Sequence, residues 1–384
     1  NKYAISLNEG LKLAGFNVLE DMEKYYIDYI EKIKRENLVP PYFDNPKMRK
    51  DNGIKGNQAP SHFKTRLVAF SKEREMSVAD IKSYETKSDF ALITLGRSGG
   101  ENYENGYLPI TQIELDLVKD VCDVFHAAGK KVIVVLNVGG VWETASWSDY
   151  PDAVLLAWQP GQEGGNSVAD IITGAVNPSG KLPDSFPVKY EDVPSSKSFP
   201  GIPAEDPINS FYEEGIYVGY RYYDSFDVPT EYEFGYGMSY TTFNYSDLKL
   251  SSTSFSSKMK VTVTVKNSGK VAGKEVVQLY LSAPTTEIEK PVQELKGFAK
   301  TKLLKPGESQ QLTFELDERS LASFWSGISA WVADKGEYEV RIGASSKDIK
   351  LKTSFNLESE IVVEKVHNVL YPNFMMKELS RINK

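Results

Sequence analysis

The sequence predicts an α/β sandwich, a mainly parallel sheet with helices on both faces, followed by an all-β sandwich. Two observations carry this. From Ser88 to Pro187 unbroken apolar runs alternate with helical stretches, the sequence form of parallel strands buried on both faces. From Tyr245 to Leu357 short segments alternate apolar and polar residues between Gly and Pro turns, the form of antiparallel strands with one face in a core. At 384 residues the chain has room for two domains or a little more.

Ser6–Phe16 (SLNEGLKLAGF) reads as a helix, yet only five residues stand ahead of it, where an α/β domain would place a strand. Met22–Asn37 is a charged helix carrying Tyr25, Tyr26 and Tyr29, Pro40–Pro60 is a loop, and a further charged helix lies near Val78–Lys87. Asp89–Leu95 (DFALITL) is a buried strand that ends in the glycine loop Gly96–Gly100. Thr111 and Glu114 form a capping box, and Ile113, Leu117, Val118, Val121, Phe125 and Ala128 recur at helical spacing until Gly129 ends the helix. Lys131–Val138 and Ala153–Trp158 are the next buried strands, and Gly164–Thr173 is a short helix.

Beyond Phe186 the composition changes. Lys189–Asn209 is rich in Pro, Ser and Asp, and Tyr212–Tyr240 is dense in Tyr, Gly and Phe. Met259–Val265, Glu275–Leu281, Gln310–Glu315 and Glu337–Ile342 then read as strands, with turns at Asn267–Gly269, Pro306–Gly307 and Lys335–Gly336. The tail after Glu358, ending FMMKELSRINK, reads as helical or loosely ordered. The expected division is an α/β domain over 1–188, a linker and interface segment over 189–244, a β-sandwich over 245–357 and a tail over 358–384.

The formal net charge of −8 repels a phosphate backbone, so nucleic acid is not an expected partner. No apolar run approaches the roughly 20 residues of a membrane span, and no membrane association is expected. The single cysteine, Cys122, leaves no internal disulfide and favours a reducing, cytoplasmic compartment over a secreted one. His62, His126 and His367 stand far apart without cysteines at zinc spacing, so neither a metal nor a cofactor is expected, and His126 reads as structural.

The loop Gly96–Gly100 (GRSGG) matches the G-x-S-x-G pattern at Ser98, but the polar stretch ENYENGYLP follows where a nucleophile elbow needs a helix. It lacks the glycine spacing of a nucleotide loop as well. It does stand at the carboxyl end of a strand, where α/β sheets collect ligands, and it runs on into Glu101, Tyr103 and Glu104. An acid there, with Arg97 four positions back, can act as a proton donor if burial raises its pKa; the residues alone favour a solvated loop acid.

The pieces GRSGGENYENG, GKKVIVVLNVG, DAVLLAWQPGQEGG, ADIITGAVNPSGKLPDSFP and YEFGYGMSYTTF, with VQELKGFAK, LLKPGES and EYEVRIGASSKDI further on, resemble the C-terminal portion of glycoside hydrolase family 3, in particular its bacterial β-glucosidases. The resemblance covers all but about the last 25 residues. It implies that the β-sandwich is fibronectin-III-like, that the catalytic nucleophile sits on a (β/α)8 barrel domain, and that a loop of the α/β domain supplies the general acid/base. Arg97, Gly100, Glu101 and Tyr103 match that loop, with Gly99 and Asn102 departing from it, so the acid/base falls on Glu101 with Glu104 as the alternative. Arg97 and Tyr103 become candidates for holding the loop or lining the outer sugar subsite. No stretch reads as eight β-α units, which implies a second chain carrying the barrel and the nucleophile, with a β-glucoside or cello-oligosaccharide as substrate. A β-xylosidase or broader β-glycosidase of the same family, or a non-catalytic carbohydrate-binding or scaffold protein, are the alternatives. Asp149, in ASWSDY, mimics the barrel nucleophile's sequence but precedes a strand of the α/β domain and reads as structural, and Glu163 reads as a helix-start carboxylate.

Overall fold

The structure, a computed structural model, describes residues 3–36, 73–97, 109–199, 210–286, 288–367, 369 and 377–382. The chain divides into two compact units, Asn1–Ala175 and Val176–Lys384.

The first unit opens with helices α1 (Leu7–Leu13), α2 (Glu20–Glu36) and α3 (Val78–Glu85). Ser6 and Glu9 close a capping box on α1, and the Ser77 hydroxyl caps α3, so each start is written locally. There follow β1 (Phe90–Gly96), α4 (Gln112–Ala127), β2 (Lys131–Asn137), β3 (Ala153–Leu156) and α5 (Gly164–Ile172). The strands pair in parallel in the order β1-β2-β3, with Gly96 opposite Asn137 and Leu136 opposite Leu156. Ile93, Leu95, Val132, Val134 and Leu136 pack with Leu117, Val118, Val121 and Phe125 of α4, Ile81 of α3, and Trp142 and Trp147. β3 stops two residues short of the expected Trp158. Trp158 adopts a φ of +52°, which turns the chain out of the ladder.

The helix α1 lies against α5 at a point where both carry glycine. A Cβ on Gly10 would overlap the backbone of Gly165, and one on Gly165 would overlap the carbonyl of Ser6. Only glycine allows backbones this close. The same approach lets Ile5 pair on both sides, its N–H donating to the Gln162 carbonyl at 2.8 Å and its carbonyl accepting from Gly165 at 3.1 Å.

In the second unit β4 (Phe186–Pro187) pairs with β5 (Thr230–Tyr232), and α6 (Tyr220–Ser225) lies between them in sequence. The sandwich is built from β6 (Phe243–Leu250), β7 (Lys258–Asn267), β8 (Val276–Ser282), β9 (Glu294–Lys300) and β10 (Ser309–Asp317), then β13 (Gly336–Gly343) and β14 (Ile349–Leu357). Antiparallel sheets β10-β7-β6 and β14-β13-β8-β9 share one core. Met259, Val261, Val263 and Val265 alternate inward along β7 and meet Leu279, Leu281, Val340, Ile342 and Phe355 from the other sheet.

A short helix α7 (Glu318–Leu321) precedes a third sheet, in which β12 (Ala330–Ala333) lies between β11 (Ser323–Trp325) and β15 (Ile361–Lys365). The strand β15 corrects the reading of this stretch as helical or loosely ordered. Its β-branched residues gain a ladder only through β12, where Val332 pairs with Val362 and Ala333 with Ile361. Further on, Ser380 Oγ and the Arg381 N–H donate to the two Glu289 carboxylate oxygens at 2.7 and 2.8 Å.

Candidate active site

The strands β1, β2 and β3 end side by side at Gly96, Asn137 and Leu156, and the edge outside these carboxyl ends is where an open parallel sheet receives ligands. The first residue past β1 is Arg97, whose backbone N–H continues the ladder to the Asn137 carbonyl at 3.1 Å. Its guanidinium forms a fork with Glu114. Nη1 donates to Oε1 at 2.6 Å and Nη2 to Oε2 at 2.7 Å. Nη1 also donates to the Gly96 carbonyl at 2.8 Å, and the guanidinium carbon lies 4.4 Å from the centroid of the Trp142 ring.

Glu114 is the third residue of α4 and only 5% exposed. Its Oε2 also accepts from the Thr111 hydroxyl at 2.7 Å and the Thr111 N–H at 2.9 Å. Burial alone would raise its pKa, but Arg97, the Thr111 hydroxyl and the Thr111 N–H together hold it below the ordinary glutamate value. One carboxylate thus caps α4 and neutralises Arg97. The capping box is readable at its three-residue spacing; the pairing with Arg97 across 17 residues carries no local signal.

Other side chains near this edge are committed to holding its loops. Asn137 Nδ2 donates to the Trp158 carbonyl at 2.6 Å, which fixes the turn after β3. The Gln159 side chain fills the space over Gly139, where a Cβ would lie 2.9 Å from its Nε2. Glu143, 7% exposed, accepts from the Ser146 N–H and hydroxyl, both at 2.7 Å. Glu73 accepts from the Tyr26 hydroxyl at 3.0 Å, and burial raises its pKa, with Glu114 close enough to add to the rise and Arg97 to oppose it. Sequence reasoning had no means of bringing Glu73 and Trp142 to this edge.

Of the sequence-derived candidates, Arg97 lies on this edge, whereas Glu101, Tyr103 and Glu104 lie outside the described residues, as does Ser98. Asp149 is exposed in the turn that leads into the amino end of β3. His126 meets Asp152 at 2.9 Å, and Asp152 also accepts from Lys131 Nζ at 2.6 Å and the Val132 N–H at 2.8 Å, so this group ties α4 to the amino ends of two strands. Glu163 stands at the start of α5 but makes no capping bond with its side chain. It accepts from the Tyr3 hydroxyl and from Asn166 Nδ2, contacts that lower its pKa. Among the described residues no group of three His, Cys, Asp or Glu side chains could hold a metal ion.

The glycosyl hydrolase family 3 C-terminal domain matches residues 7–220, and a fibronectin type III-like domain matches residues 275–346. The chain is 36% identical to beta-glucosidase A of Butyrivibrio fibrisolvens over 98% of its own length and 47% of that protein. It is 38% identical to thermostable beta-glucosidase B of Acetivibrio thermocellus, over 76% of this chain and 38% of that one. Among solved structures, beta-glucosidase 3B from Thermotoga neapolitana in complex with alpha-D-glucose superimposes with a TM-score of 0.81 at 46% identity, covering 94% of this chain and 47% of the other. The chain therefore spans about half the length, or less, of the relatives it matches. With more than half of its residues in the domain match and a parallel α/β unit followed by the fibronectin type III-like sandwich, the chain belongs to glycosyl hydrolase family 3, to whose C-terminal portion it corresponds.

Proposed function

We propose that this chain forms the acid/base half of a retaining exo-acting β-glucosidase, with Glu101 as the proton donor and a (β/α)8 barrel outside these 384 residues as the source of the nucleophile. The observation that carries the reading is the Arg97–Glu114 fork. It joins the residue before 98–108 to the helix that follows, and 98–108 is the segment that holds Glu101 and Glu104. Retaining glycosidases need two carboxyl groups about 5–5.5 Å apart, one to protonate the leaving oxygen and one to attack the anomeric carbon. Glu101 protonates the glycosidic oxygen as the barrel carboxylate attacks. As a carboxylate it then deprotonates the water that releases glucose. Arg97 acts by holding the segment, and Tyr103 lines the outer subsite.

The test is Glu101→Gln, assayed together with the barrel. Removing a general acid penalises poor leaving groups most, by ~10²–10⁴-fold. Alkyl glucosides and cellobiose are therefore slowed severely, aryl glucosides with acidic leaving groups much less, and added azide yields β-glucosyl azide. Equal loss on both substrate types without azide product, or that pattern in Glu104→Gln instead, overturns the assignment to Glu101. Robust hydrolysis of an aryl β-glucoside by the 384 residues assayed alone overturns the reading that the nucleophile lies outside them.

A further inference from the structure

We propose that the second unit, Val176–Lys384, carries a saccharide-binding cleft of its own, formed where the end of α6 meets the start of β9 and the turn between β13 and β14. The cleft is open to solvent and has a volume of about 400 Å³, within the ~300–1,000 Å³ typical of small-molecule sites. Its lining divides by chemistry. Val228, Pro229, Val292 and Ile349 supply apolar surface, and Asp224, Gln293 and Arg341 supply polar groups.

The polar groups are fixed in a row. Gln293, only 3% exposed, donates from Nε2 to Asp224 Oδ2 at 3.1 Å and to the Ser346 carbonyl at 2.7 Å. Its Oε1 accepts from Arg341 Nη1 at 3.1 Å, and Arg341 Nε donates to Glu339 at 2.5 Å. A carboxylate, an amide and a guanidinium are thereby set side by side before any ligand arrives. The amide spends both N–H groups on these neighbours and acts as a spacer, while the carboxylate and the guanidinium that it separates keep an acceptor and donors for the two hydroxyls of a vicinal diol.

Charge selects the ligand class. Asp224 and Asp227 oppose Arg341 and Lys347 around the cleft, so the lining has no formal excess of either sign to attract an anion or a cation. A neutral ligand that carries both hydroxyls and C–H groups matches this mixed lining, and a pyranose is that ligand. No residue of the cleft enters the role given to Glu101, so this inference stands or falls separately from that one.

The experiment is a titration of the 384-residue chain with cellobiose, followed through the methyl resonances of Val228, Val292 and Ile349. Saturable shifts at these methyls are expected. Arg341→Met, which keeps the stem and removes the fork, should weaken binding by about tenfold or more. Asp227 is exposed and has a φ of +54°, a conformation glycine adopts freely, so Asp227→Gly preserves the fold while removing one rim carboxylate, and it should weaken binding several-fold. Absence of saturable shifts, shifts confined to other methyls, or affinity unchanged in the folded variants overturns the proposal. So does inorganic phosphate occupying the cleft in preference to cellobiose, because the charge balance would then have been misjudged.

Discussion

Arg97 and Glu114 face each other in a two-pronged ion pair at 2.6 and 2.7 Å, with the carboxylate side chain 7% exposed and the guanidinium 21%. Both oxygens of Glu114 are used by Arg97, and one is shared with the Thr111 hydroxyl and N–H. Breaking a buried pair from one side leaves an uncompensated charge, which costs ~3–5 kcal/mol. Arg97→Met is therefore expected to destabilise the first unit by that order, and more than Thr111→Ala, for which loss of a cap costs about 1 kcal/mol. Denaturant melts of the two variants check the ranking; equal, small losses would show that solvent screens the pair.

The same carboxylate sets a pH dependence. Its folded pKa lies below its ordinary 4.5, because its donors outweigh burial. The stabilisation is thus fully present above the unfolded value and is lost as pH falls through the folded value. Between neutral pH and acid, Glu114→Gln should flatten the fall in melting temperature. A variant whose acid profile parallels the parent's would assign the transition to other carboxylates, such as Asp152, whose pKa Lys131, the Val132 N–H and His126 lower against the opposing effect of burial.

At the α1–α5 contact the close approach of Gly10 and Gly165 forecasts a sharp asymmetry among glycines. Gly10→Ala puts a methyl group into backbone that cannot swing aside, and overpacking of this kind costs ~1–3 kcal/mol. Gly140→Ala meets nothing within 4 Å and should change stability by less than about 0.5 kcal/mol. Thermal melts of both variants check this, and an undisturbed Gly10→Ala would mean that the helices separate readily.

What could be read in advance was whatever is local. Thr111 and Glu114 announce a helix start because the capping bonds span three residues, and β1 and β2 announce themselves because their apolar runs are nearly continuous. The alternation of Met259, Val261, Val263 and Val265 marks the sandwich for the same reason. The end of β3 was misplaced because Trp158's positive φ accompanies a contact made by Asn137, 21 residues earlier. The strand Ile361–Lys365 was missed because its ladder partner, β12, lies about 30 residues away. At the candidate site, the family resemblance brought Glu101 forward, but only the folded chain could join Arg97 to Glu114 and Trp142, or gather Asp224, Gln293 and Arg341 into one cleft.

A second buried ion pair lies in the other unit. Lys290 and Asp334 are 6% and 8% exposed in their side chains, and the ammonium also donates to the Pro284 carbonyl at 2.8 Å and the Thr286 hydroxyl at 3.3 Å. The Thr286 hydroxyl in turn donates to Asp334 at 2.8 Å, and the Tyr338 hydroxyl donates to the Asp334 carbonyl at 2.8 Å. The network ties the segment after β8 to the turn before β13. Asp334→Ala strands the ammonium in a site where its other partners are neutral, and Lys290→Met strands the carboxylate, so each single change should cost ~3–5 kcal/mol. Removing both leaves no charge to strand. The double variant should therefore lose much less than the two single losses added, and the difference reports the coupling. Chemical denaturation of the parent, both single variants and the double variant measures that difference. Single losses under about 1 kcal/mol that simply add would show the pair behaving as an exposed one, with the loop held by its neutral hydrogen bonds instead.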